Sequence, residues 1–157
     1  MKTKTNVMRI LDAAKLAYEV MEYEVDENNL AATHIADQIG LLPEMVYKTL
    51  VARGDKSGLV VFCIPADLEI DLKKAAKVTG NKRLEMVAVK DLLALTGYIR
   101  GGCSPIGMKK KFPTYFSHFS ATQAKITVSA GVRGAQLLLN TDALLQFVGA
   151  KQEDITV

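Results

Sequence analysis

Apolar residues recur at helical spacing at Val7, Met8, Ile10, Leu11, Ala14 and Leu16, with Arg9, Asp12 and Lys15 on the other side, so the pattern predicts a helix over 5–17. The period then shortens. Over 18–25 the chain alternates, with Tyr18, Val20, Tyr23 and Val25 as buried or cleft-facing positions of a strand. A polar turn at 26–29 leads to Thr33, a suitable N-cap for a short helix through Ile39 that Gly40 closes. Leu41-Leu42-Pro43-Glu44 resets the chain, and 44–52 reads as a strand in which Met45, Tyr47 and Thr49 point one way. Val46, Lys48 and Leu50 point the other way, so Lys48 shares a face with two apolar residues. Residues 53–58 form a hairpin loop, and the unbroken apolar run 59–64 fits a strand buried on both faces, with Cys63 as a small core residue.

Beyond it, Asp71 caps a helix over 72–78 that ends at Thr79-Gly80 and carries Lys73, Lys74 and Lys77 on one face. A short strand is expected at 84–88 and a helix at 89–95, stopped by Gly97. Strands follow at 113–119, 125–129 and 135–140, the last two separated by the glycine turn Ala130-Gly131-Val132-Arg133-Gly134. Thr141 caps a final helix to Val148, with Gly149 behind it. Strands interrupted by helices without regular βαβ alternation predict a mixed α/β (α+β) fold, a mixed sheet with helices around it. Glycine turns at two strand ends suit a curved or closed sheet.

Composition changes this picture little. At 157 residues the chain is long enough for one domain with a full core, and 49% hydrophobic with 24% charged residues is a globular mix. A net charge of +3 permits a nucleic-acid partner without arguing for one, because clustering of the cations decides. No apolar run is long enough to cross a bilayer, and the start, Met1-Lys2-Thr3-Lys4-Thr5-Asn6, lacks the pattern of a secretory leader. Cys63 and Cys103 fit unpaired thiols in a reducing cytoplasm, and with only His34 and His118 besides, no zinc-ligand spacing is present.

The least generic stretch is Arg100-Gly101-Gly102-Cys103-Ser104-Pro105-Ile106-Gly107-Met108-Lys109-Lys110-Lys111. Tandem glycines allow positive φ and close approach of a ligand, Ser-Pro favours a turn, and successive amides with three lysines would attract phosphate. It lacks the Gly-Lys-Ser/Thr ending of a nucleotide-binding P-loop. A glycine turn followed by a solvated charge run is the plain alternative. Lys48 is equally open: an edge-strand lysine that blocks aggregation, or an ammonium held in a cleft.

Three motifs then carry a resemblance. Val46-Tyr47-Lys48-Thr49-Leu50, Tyr98-Ile99-Arg100-Gly101-Gly102-Cys103-Ser104-Pro105-Ile106-Gly107 and Val128-Ser129-Ala130-Gly131-Val132-Arg133-Gly134, in that order, resemble the YbaK/EbsC family of the prolyl-tRNA synthetase-associated editing superfamily. The similarity runs over essentially all of 1–157 as one editing domain, and Asp71-Leu72-Lys73-Lys74-Ala75-Ala76-Lys77 with Glu85-Met86 looks more like the YbaK branch than the alanine-specific ones. The resemblance implies a barrel-like mixed sheet surrounded by helices. It also implies cytoplasmic trans-editing without a cofactor, metal or membrane: removal of cysteine from the acceptor end of mischarged proline tRNA, with prolyl-tRNA synthetase as an accompanying partner.

By the same resemblance Lys48, Gly101 and Gly102 belong to the catalytic centre, and Tyr23, Thr49, Ser104, Ser129, Gly131 and Arg133 to substrate binding, with Arg133 either contacting RNA phosphate or tying its loop down. The family chemistry is a lyase-like attack of the substrate's own thiol on its ester, releasing a thiolactone. Cys103 stands where relatives usually carry an aliphatic residue and reads as packing. Three positions depart from the family pattern: Gln136 for a frequent acid, Val132 for a frequent base, and Leu30 for a frequent aromatic. Gln136 and Val132 keep a second reading in play, a non-catalytic module binding aminoacyl or nucleotide 3′ ends, and editing of another small aminoacyl group such as alanine is a third.

Overall fold

Strand pairing builds two sheets in the computed structural model, which describes residues 3–157. Met1 and Lys2, part of the leader reading, lie outside the described residues. The chain runs α1 (Asn6–Ala13), β1 (Glu19–Glu22), α2 (Ala32–Ile39), β2 (Tyr47–Gly54), β3 (Gly58–Pro65), α3 (Leu72–Thr79), β4 (Leu84–Met86) and α4 (Val89–Thr96). It continues with β5 (Thr114–Ser117), β6 (Lys125–Ser129), β7 (Ala135–Asn140), α5 (Thr141–Val148) and β8 (Lys151–Glu153). The larger sheet has the order β4-β2-β3-β5-β8, antiparallel at β4-β2-β3 and parallel at β3-β5 and β5-β8. The smaller sheet is antiparallel, β1-β7-β6, and a parallel bridge between Val46 and Thr127 joins it to the start of β2. The result is the mixed α/β fold the resemblance implies, two sheets joined at that bridge with helices around them.

The unbroken apolar run of β3 has a direct cause. Val61 and Cys63 enter one core with Tyr47 and Val51 of β2 and with Phe116, Val128 and Leu137. Val60, Phe62 and Ile64 enter a second core beneath Ala75 and Ala76 of α3. With both faces covered, no position of the strand favours a polar residue. The alternation read along β2 is therefore real: Tyr47 and Val51 belong to the first core, Leu50 and Ala52 to the second.

Element ends are where local chemistry departs from the sequence reading. α1 stops at Ala13, well short of residue 17, because Lys15 turns into the left-handed region at φ 59°. α2 starts at Ala32 behind Ala31, with no side-chain cap, so Thr33 is not its N-cap. α5 is capped by Asn140, whose Oδ1 accepts the Ala143 N–H at 2.9 Å, and Thr141 is its first helical residue. Asp71 caps α3 as expected, accepting from Lys73 N at 3.0 Å and Lys74 N at 3.1 Å. Pro43 begins a 3-10 turn over Pro43–Met45, which delays β2 to Tyr47. β8 has no counterpart in the reading, because Lys-Gln-Glu carries no hydrophobic alternation.

Candidate active site

Lys48 lies two residues into β2, opposite Ile64 of β3. β2 is not an edge strand: β3 pairs with it on one side, and β4 and the Thr127 bridge occupy the other. Aggregation control therefore does not explain this lysine. Its stem follows the apolar face shared with Val46 and Leu50, and its ammonium emerges where Pro65 and Ala66 leave the sheet. Nζ donates to Ala66 O at 3.2 Å and stands 3.7 Å from Glu69 Oε1, with 23% of the side chain exposed. The ammonium is held and still reachable.

Thr49 points to the opposite face. Its hydroxyl lies 3.6 Å from the Cys63 thiol, toward the first core, so Thr49 and Lys48 do not share a surface. The bridge between Val46 and Thr127 sets a parallel register, and two residues further along each strand come Lys48 and Ser129. Ser129 Oγ accepts the Gly131 N–H at 3.1 Å and so closes the second glycine turn. Gln136, paired with Ser129 across the sheet, is buried with its Oε1 accepting the Thr127 hydroxyl at 3.0 Å.

The two glycine turns stack on each other. Gly102 packs against the backbone of Val132 and Arg133, at 3.1–3.2 Å from where a Cβ would stand. Gly101, at φ 86°, faces the Arg133 side chain, whose Nε donates to Arg100 O at 2.8 Å. Gly101 and Arg133 line a cleft with Tyr23, Asp26, Leu30 and His34. Gln38 holds the far wall by exchanging two hydrogen bonds with the Glu24 backbone, both 3.2 Å.

The remaining expected residues act from behind. Ser104 is fully buried, and its Oγ accepts the Ile106 N–H at 3.3 Å, fixing the Ser-Pro turn. Gly131, at φ 91°, lies where a Cβ would come within 2.8 Å of Val7 Cγ2, so α1 packs directly on that turn. The lysine run is not a phosphate cradle as a unit. Lys109 Nζ donates to Ala94 O at 3.1 Å near the C-terminus of α4, where the helix dipole favours a cation. Lys111 Nζ stands beside Gly149, the C-cap of α5, in the same relation.

Tyr23, Gly101 and Arg133 thus share one cleft, while Gly102, Ser129, Gly131 and Ser104 shape the loops behind it. Lys48 does not line that cleft. Glu69, His34 and Gln38 escaped the sequence reading because each is a lone polar residue in an unremarkable loop or helix, with no spacing to mark it.

Both thiols are buried. Cys63 is fully buried, and that burial raises its pKa. Burial lifts Cys103 from 9.0 to about 12, with a hydrogen bond involving Thr96 pulling weakly the other way. Because the folded pKa is raised, the stability tied to Cys103 is complete below pH 9.0 and is lost as pH climbs toward 12, where only the unfolded chain ionises readily. The expected outcome is that iodoacetamide at pH 8 labels neither cysteine in the native protein and both after denaturation. Rapid native labelling of Cys103 would contradict its assignment to packing.

The chain belongs to the aminoacyl-tRNA editing domain family, whose description matches residues 26–147. That span holds every expected site residue except Tyr23. The chain is 47% identical over 153 residues to the Enterococcus faecalis protein named "Putative Cys-tRNA(Pro)/Cys-tRNA(Cys) deacylase EbsC", covering 98% of this chain and 93% of that one. Two solved structures share its fold. One is described as "Crystal structure of a putative trans-editing enzyme for prolyl tRNA synthetase", with TM-score 0.83, 23% identity and 99% of both chains covered. The other is hypothetical protein APE2540, with TM-score 0.88, 18% identity, 98% of this chain and 100% of that one. Among the described residues no helix is long and apolar enough to cross a membrane, and no group of three or more His, Cys, Asp or Glu is placed to hold a metal ion.

Proposed function

We propose that the chain removes cysteine from mischarged proline tRNA in the cytoplasm, acting in trans on the aminoacylated acceptor end. The observation that carries this reading is the 47% identity, sustained over 98% of the chain, to a protein named for cysteinyl-tRNA deacylation. Lys48 supports it physically. A partly exposed ammonium, positioned by Ala66 O, supplies fixed positive charge for the negative charge that develops on the ester carbonyl oxygen.

With both protein thiols buried, the nucleophile in this reading is the substrate's own sulfur. It attacks the ester carbonyl carbon, a C–S bond forms, the C–O bond to the ribose breaks, and the thiol proton passes to the leaving ribose oxygen. The products are free tRNA and a cysteine thiolactone, which water later opens to cysteine. Nucleophile and electrophile belong to one residue, so orientation supplies much of the rate. The Gly102 N–H already donates to Ile99 O at 3.0 Å, so this loop contributes close backbone approach to the ester or terminal ribose rather than that amide. Tyr23 and Arg133 flank the approach, Ser129 and Gly131 shape the adjoining turn, and Thr49 and Ser104 support from within. Prolyl-tRNA synthetase, as a partner, would supply the tRNA discrimination that so small a domain lacks.

The non-catalytic reading rests on one observation: Gln136 offers no carboxylate and its carbonyl is already engaged by Thr127. Mass analysis of cysteine released from cysteinyl-tRNA(Pro) separates these readings. Thiolactone as first product is the expected result. Free cysteine carrying one solvent oxygen from the outset would make the enzyme a hydrolase. Bound tRNA with no release would favour the binding module.

A further inference from the structure

Lys48 is accompanied at the end of its strand. Glu69 belongs to the short connection between β3 and α3, and its carboxylate Oε1 stands 3.7 Å from the Lys48 ammonium. The connection is pinned on both sides of the carboxylate. Leu68 N donates to Pro65 O at 3.1 Å, Val157 N to Glu69 O at 3.0 Å, and Asp71 N to Ile155 O at 2.8 Å. The Glu69 side chain is 82% exposed, and an ion pair that open contributes little to folding. Stability gives no reason for a carboxylate there.

An aminoacyl ester gives one. It brings a cation of its own, an α-amino group that carries a positive charge when protonated. That nitrogen and the ester carbonyl oxygen sit on adjacent carbons, and standard bond lengths set them about 3 Å apart. Lys48 and Glu69 present a cation and an anion separated by 3.7 Å, close to that span. One aminoacyl group can therefore place its carbonyl oxygen on Nζ and its ammonium on Oε1 together. Gln136 cannot take the second role, since it is uncharged, buried and engaged with Thr127.

We propose that Glu69 receives the substrate's α-ammonium and makes the site selective for esters of amino acids with a free amine, against N-acylated esters such as those of peptidyl-tRNA. The inference rests on the deacylase reading above. Because the carboxylate is loosely paired and exposed, the incoming ammonium competes with Lys48 for it without disrupting a buried contact. The released Lys48 ammonium turns to the carbonyl oxygen.

The test compares wild type and Glu69→Gln on cysteinyl-tRNA(Pro) and on N-acetylcysteinyl-tRNA(Pro), with thermal melting as a check on folding. Wild type is expected to favour the free-amine ester by about tenfold or more in kcat/KM. Glu69→Gln is expected to lose about tenfold on that ester, mainly through KM, and nothing on the N-acetyl ester, so the preference disappears. Equal activity of variant and wild type on the free-amine ester, or an equal loss on both esters, would overturn the role of Glu69. Wild type inert on both esters would overturn the deacylase reading itself and this inference with it. An active wild type that is indifferent to Glu69→Gln overturns the inference alone.

Discussion

Lys48→Ala lowers kcat/KM for cysteinyl-tRNA(Pro) by about 10²–10³-fold, the scale seen when one preorganised donor to a developing oxyanion is removed. The fold survives the change. The lysine's ammonium donates to Ala66 O and is only loosely paired with the exposed Glu69, and its side chain is 23% exposed, so the stability loss stays within about 1 kcal/mol. Lys48→Met, which keeps the apolar stem along the strand face, should be as inactive as alanine, separating charge from packing. Arginine is not expected to rescue, because its planar fork places charge differently from a compact ammonium. Single-turnover deacylation and a far-UV circular dichroism spectrum, measured on the same preparations, check both halves. Retained activity in either variant would remove Lys48 from the chemistry.

Gly131→Ala is the largest expected effect on stability, about 3 kcal/mol. Two costs coincide there: a left-handed φ of 91°, and a new Cβ 2.8 Å from Val7 Cγ2 and 3.1 Å from the Tyr98 ring. Gly80→Ala is the matched control. Its φ of 74° is also left-handed, but no atom lies within 4 Å of its Cβ position, so it should cost only about 1 kcal/mol. Urea denaturation of the two variants reads the difference. Equal losses would mean that α1 yields freely and that the second glycine turn is not braced by it.

Much of the fold was legible because its signals are local. The 59–64 run, the Asp71 cap and the glycine stops after α2, α3, α4 and α5 all lie where the pattern puts them. β8 was not legible, since Lys151–Glu153 becomes a strand only by pairing with β5, a tertiary event with no trace in its composition. The expected caps missed Ala31 by two residues and Asn140 by one: Ala31 offers no capping side chain for a sequence to show, and next to Asn140 a threonine offered comparable capping chemistry. At the site, periodicity placed Lys48 on its face but left its purpose open, and only the interior position of β2 removed the edge-strand explanation. Gly101 and Gly102 stood out by composition. Their packing against Val132 and Arg133, some thirty residues away, did not, because contacts between two loops leave no periodic signature in either. Glu69 was invisible for a related reason, as it matters only through the ammonium it faces.

The most direct test of the account is the rate of amino acid release from cysteinyl-tRNA(Pro) beside alanyl-tRNA(Pro) under identical conditions. Rapid loss of cysteine and retention of alanine are expected, because alanine has no thiol with which to attack its own ester. Release of alanine at the same rate would contradict chemistry carried by the substrate thiol and move it to water activated by the protein.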